Sequence, residues 1–273
     1  MFFDEIYESV LSYNFDGKLA GLYAKFGYGD VIRAVLEIME RAAGENSLNF
    51  ESFMAAATFV RDTATLSATS SDLPESGKQA FAGELARLGF FETIEKYLYS
   101  DYYTIKHITA YTIGKMSVKE NAKYLEKAFE THCGKNPLVC AQLLFEMCWL
   151  ESEKYASSLS AVEKDTGLIG AMTHLMHSAA IAGGDALEKA FEKFKLEHGE
   201  MFAGKTIAAD EYVASYEILI AELHNKIKRK DFTAGEYERS IIFYTENYDS
   251  LFRGENTDWQ EIYDRITGRP REL

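Results

Sequence analysis

Apolar residues along this chain recur three and four positions apart, and nowhere in sustained alternation. Phe3, Ile6, Tyr7, Val10 and Leu11 form one such stripe. Val31, Ile32, Val35, Leu36 and Met39 form another, between Gly29 and Gly44. That spacing puts side chains on one face of an α-helix, whereas a half-buried strand needs period two. A third helix, Phe50 to Leu66, follows Asn49, whose side-chain oxygen suits an N-cap. Four capping boxes mark further starts: Ser117 with Glu120, Asp185 with Glu188, Thr233 with Glu236, and Thr257 with Gln260. In each, a cap oxygen takes an exposed amide and the residue three on reaches back. Gly134, Gly199, Gly254 and Gly268 stand where a left-handed residue closes a helix. The pattern predicts an all-α chain of about fourteen helices, most of about ten to eighteen residues. The Ser/Thr-rich segment 65–72 is the candidate boundary within a single domain spanning 1–273, dividing it into 1–66 and 73–273.

One stretch carries more than periodicity. From Leu98 to Met116, Asp101 opens, Ile105-Lys106 pairs a β-branched with a basic residue, and Ala110 supplies a small position. Ile113-Gly114 and Met116 close it. One repeat length later Asn136-Pro137-Leu138-Val139 opens again, with Leu143, Leu144, Met147 and Leu150 at helical spacing. Thr109 departs from the pattern, and Cys140 and Cys148 replace the basic residue and the glycine of the second unit. The stretch resembles a helix of the HEAT/armadillo repeat superfamily. The resemblance implies an irregular HEAT/ARM-like right-handed α-solenoid of antiparallel helix pairs. It also implies the usual work of such stacks, which is gripping another macromolecule.

Composition narrows the partner. The formal net charge is −14, with 47% hydrophobic and 14% aromatic residues. Phosphate binding needs clustered Lys and Arg, and the one basic run, Lys226 to Lys230, reads as a helix C-terminus complementing the dipole. Nucleic acid is therefore not expected, and a basic protein or peptide is. None of the three prolines (Pro74, Pro137, Pro270) interrupts a periodic segment, as long helices require. Cys133, Cys140 and Cys148 are odd in number and lack a C-x-x-C spacing, which suits buried free thiols in a reducing compartment. No apolar run approaches a membrane span and the amino terminus lacks a signal-like pattern, so a cytoplasmic location is expected.

Candidate chemistry is sparse. Gly199-Glu200-Met201-Phe202-Ala203-Gly204-Lys205-Thr206 matches the phosphate-binding expression G-x-x-x-x-G-K-[ST] in full. That loop needs a strand before it, and here an amphipathic helix precedes, so we read Gly199 as a helix C-cap followed by a loop. His174 and His177 share a helix face beside Met172, Leu175 and Met176, but no E-x-x-H or H-E-x-x-H completes a metal site. No metal, cofactor or nucleophile is expected. Glu146, between Phe145 and Met147, reads as the solvent-facing edge of its helix; the alternative is a desolvated carboxylate able to serve as an acid.

Aromatics remain. Tyr102 and Tyr103 open the HEAT-like helix beside Lys106 and His107, and Tyr244 and Tyr248 recur near the carboxy terminus. Tyrosine beside a cation is the composition of a binding hot spot. The expectation is a non-enzymatic interaction module, with these six residues as candidate contacts; an acidic inhibitor or immunity-type protein facing a basic toxin is one version. Two other classes stand beside it. One is a nucleic-acid enzyme resembling the HEAT-like alkyl-base glycosylases. The other is a small-molecule-binding helical protein with a pocket between helices, near Met172, His174 and His177. Oligomeric state is not legible here.

Overall fold

The computed structural model describes residues 2–12, 19–44, 48–64, 73–116, 118–164, 167–227, 230–251 and 257–269. Among them, every regular element is helical. The chain groups into two compact units, Met1–Ser100 with Thr104–Leu125, and Asp101–Tyr103 with Glu126–Leu273. Helices on both sides of 65–72 belong to the first unit, and 65–72 itself lies outside the described residues.

The first unit holds α1 (Phe2–Leu11), α2 (Leu19–Phe26), α3 (Tyr28–Ala42), α4 (Phe50–Ala64), α5 (Glu75–Arg87) and α6 (Phe90–Ile94), with most of α7 (Tyr103–Lys115) and the start of α8 (Ala122–His132). The stripes read from sequence are its core: Ile6, Val10, Val31, Ile32, Val35 and Met39 are all fully buried. α3 packs against α1, α2, α4, α5 and α6. This hub is denser than the neighbour-to-neighbour contacts of a repeat stack. Phe53, Phe59, Phe81 and Phe90 are buried around it, each contributing about 1.5–3 kcal/mol relative to exposure. Asn49 accepts from the Ser52 amide at 3.1 Å and caps α4 as its chemistry predicts.

The second unit holds the rest of α8 and then α9 (Pro137–Glu163), α10 (Leu168–His177), α11 (Gly184–Glu197), α12 (Ala209–Ile227), α13 (Ala234–Glu246) and α14 (Trp259–Thr267). α9 starts where proline belongs, at the first turn, with Asn136 Oδ1 accepting from the Val139 amide at 3.2 Å. The Thr233–Glu236 capping box forms in both directions at α13. Two of the other boxes move. Asp258, not Thr257, caps α14 through the Glu261 amide. Gly183 rather than Asp185 precedes α11, and Ser117 lies outside the described residues. Gly134 and Gly268 take positive φ as expected; Gly199 does not, and Gly254 is outside the described residues. No described helix is long and apolar enough to cross a membrane.

Candidate functional site

An opening in the first unit forms a cavity of about 320 Å³. Its apolar wall comes from the end of α4 (Ala64), one face of α5 (Ala82, Leu85, Ala86), Phe91 of α6, and Met116 and Val118 beyond α7. Alanines make the room: three of the wall positions end at a methyl group, so neighbouring helices approach without filling the space between them. A short 3₁₀ turn, Lys119–Asn121, then leads into α8 and carries the polar edge. Glu120, Asn121, Lys123 and Tyr124 line that edge, together with Glu92 from α6.

The polar edge is partly organised. The Tyr124 hydroxyl donates to Glu92 Oε1 at 2.7 Å. That hydrogen bond holds the Glu92 carboxyl below its ordinary range, and burial with the same carboxylate pushes the phenol up to about 12. Lys123 Nζ lies 4.7 Å from the Tyr124 ring centroid, in cation–π contact. Asn121 is different. It is only 5% exposed, and its Nδ2 group is buried without a hydrogen-bond partner.

The second unit contains a buried polar centre. Asp231 is its hub: Asn136 Nδ2 donates to Oδ2 at 2.6 Å, while the Phe232 amide and the Tyr237 hydroxyl donate to Oδ1 at 2.9 and 2.5 Å. His224 Nε2 lies 3.4 Å from Oδ1, and the imidazole is stacked by Tyr103 at 5.2 Å and packed by Phe232 at 4.8 Å. The Asp231 amide also donates to the Asp101 carbonyl, which ties Asp101–Tyr103 into this unit. Further along, Tyr212 pairs with Thr245 and Tyr216 with Ser240, both at 2.8 Å, stitching α12 to α13.

The six residues singled out as partner contacts do not form one exposed face. Tyr103, Lys106 and Tyr244 are buried, with Lys106 4% exposed. Tyr244 gives its hydroxyl to the Tyr212 carbonyl at 3.1 Å. Tyr102, His107 and Tyr248 are half-buried, and Tyr248 stacks on Tyr212. Burial pushes His107 down to about 4, so at neutral pH it supplies no positive charge. A helix-opening Tyr-Tyr beside Lys-His reads identically whether it faces solvent or core, which is why spacing alone could not place it.

Glu146 also moves: it is 0% exposed rather than on a solvent edge, with Gln142 Nε2 donating to its Oε1. The G-x-x-x-x-G-K-[ST] match follows a helix rather than a strand, but His198, not Gly199, is the helix C-cap. Helix α11 precedes it, Gly199–Phe202 is a 3₁₀ turn, Gly204 has φ 74°, and Lys205 Nζ donates to the Glu246 carbonyl at 3.1 Å. Near His174 the opening is about 10 Å³, room for a single water. No group of three metal-ligating side chains is present among the described residues. Glu92, Asn121 and Tyr124 escaped sequence reading because they carry no shared period; Asn121 sat inside what read as a plain helix start. No family model, curated protein or solved structure matches the chain.

Proposed function

We propose that this protein binds a small, largely apolar molecule in the cavity of its first unit. The observation that carries this is the cavity itself: about 320 Å³, walled by Ala, Leu, Phe, Met and Val, with polar groups gathered at one edge. Ligand sites have this size and this division of labour, in which apolar walls supply affinity and a few polar atoms supply orientation. A right-handed HEAT-like stack of helix pairs is the finer architectural proposal; the packing of α3 on α4 and of α9 on α10 supports it, and the hub of contacts around α3 makes any such stack irregular. A basic protein partner is a weaker reading, because Tyr103, Lys106 and Tyr244, which it relied on, are buried.

A ligand that binds only the native state raises the unfolding midpoint. A panel of ring-sized uncharged compounds is expected to raise it for the wild type. The same panel should have little effect on Ala82→Leu, which fills the α5 wall. If no compound shifts the wild type, or the filled variant responds equally, the proposal fails.

A further inference from the structure

The polar edge of the cavity selects among ligands by the sign of their charge, and this step rests on the cavity being a binding site. Two carboxylates, Glu92 and Glu120, line that edge against one ammonium, Lys123. Both glutamates are exposed as well as lining. Glu92 is fixed as an anion, since the Tyr124 hydroxyl donates to its Oε1 at 2.7 Å. That bond uses one of the roughly four lone-pair positions a carboxylate offers. Glu120 makes no ion pair among the described residues. Lys123, held 4.7 Å from the Tyr124 ring centroid, offsets one of the two charges. Glu95, outside the lining, adds a third carboxylate: burial, Glu92 and then Glu95 hold the Tyr124 phenol up. Asn121 works in the same sense. Its Nδ2 is buried beyond the reach of any ligand, which leaves Oδ1, an acceptor, as the accessible amide atom. A carboxylate ligand would bring a like charge and no donor to this edge, whereas an ammonium brings three donors and the opposite charge. The wall, meanwhile, offers the Phe91 ring and the Met116 thioether to an apolar body.

We infer that the cavity selects an organic cation, an ammonium held by the Glu92 and Glu120 carboxylates with Asn121 Oδ1 as a further acceptor, on a ring-sized apolar body packed against Phe91 and Met116. Primary amines on an aromatic or short alkyl body belong to this class. Carboxylic acids of the same size do not. An uncharged ring still enters, because the apolar wall supplies its affinity, but it binds less tightly.

The test uses the full chain and three probes of one size, benzylammonium, ethylbenzene and benzoate, titrated by ligand-detected NMR at neutral pH and low salt. Benzylammonium should bind tightest, by about two- to fivefold over ethylbenzene, the value of one solvent-accessible ion pair, and benzoate should bind weakest. Glu92→Gln and Glu120→Gln should each cut the benzylammonium advantage and strengthen benzoate, with ethylbenzene unchanged. Glu51→Gln controls for the negative charge of the chain as a whole. Glu51 is exposed at the opposite end of α4 from Ala64, about 20 Å along the helix from the cavity wall, and its loss should leave all three affinities as they were. If ethylbenzene or benzoate matches benzylammonium on the wild type, the inference is overturned and the cavity reading survives. The same holds if Glu51→Gln weakens benzylammonium as much as the two cavity variants do. If no probe binds the wild type, both fall. Glu120 is exposed and outside any described ion pair, so Glu120→Gln decides the matter even if Glu92→Gln fails to fold.

Discussion

His177 shows how much a single side chain can cost. It is 2% exposed at the end of α10, and neither ring nitrogen has a hydrogen-bond partner. It stands immediately before a π-helical turn, Ser178–Ala182, where the Gly183 amide donates to the Ser178 carbonyl. A neutral imidazole there leaves a donor and an acceptor unmade; a charged one would also lose its hydration. Burial, helped by nearby His174, therefore pushes its pKa down to about 4. The sign follows directly. Between about 6.5 and about 4 the unfolded chain binds a proton that the native state refuses, so stability falls as pH drops through that window and levels below it. His177→Leu removes both unmade groups and the titration. We expect it to unfold at equal or higher urea at pH 7, and to show a shallower loss of stability from pH 6.5 to 4. Part of the slope should persist from His107, also held near 4. An unchanged slope would mean that His177 is not buried as described.

At the scale of elements, helix starts are local chemistry and helix courses are not. Asn136-Pro137 and Thr233–Glu236 begin helices as their side chains dictate. α9, by contrast, runs 27 residues and breaks at Glu151, with φ −151° and ψ 79°. No proline or glycine stands there to announce it. Glycine inside a helix raises a different question. Gly77 in α5 has ordinary helical backbone, and helix propensity favours alanine by about 1 kcal/mol. Yet a Cβ there would lie 2.9 Å from Leu73 Cγ and 3.1 Å from the Tyr28 hydroxyl. Overpacking of this kind costs about 1–3 kcal/mol, so the steric term outweighs propensity. Gly77→Ala should lower the urea midpoint, whereas Gly83→Ala on the same helix, with open space around it, should raise or preserve it.

For the whole molecule, charge is the property that sequence states most directly. A formal net charge of −14 means that self-repulsion works against the compact state. Many ion pairs among the described residues are exposed, such as Lys25–Glu5 and Lys96–Glu40, and exposed pairs contribute only about 0–1 kcal/mol each. Screening should therefore help more than it harms. We expect the thermal midpoint to rise as KCl goes from about 10 mM to about 300 mM, over which the screening length falls from about 30 Å to under 10 Å. A fall would show that attractive pairs outweigh net repulsion.

Helicity, the caps at Asn49, Asn136 and Thr233, and the apolar faces of α1 and α3 were determined by the sequence alone, because period and capping act over three or four residues and need no distant partner. Which face of α7 is buried, whether Glu146 meets water, and where alanines leave a cavity were decided only by tertiary packing. Glu92 and Tyr124 meet across 32 positions, and Asn136 meets Asp231 across 95. A hydrogen bond between such residues leaves no trace in local spacing. The cavity is subtler still: it is a volume that side chains fail to fill, and its alanines look in sequence like any other small residues of a packed helix.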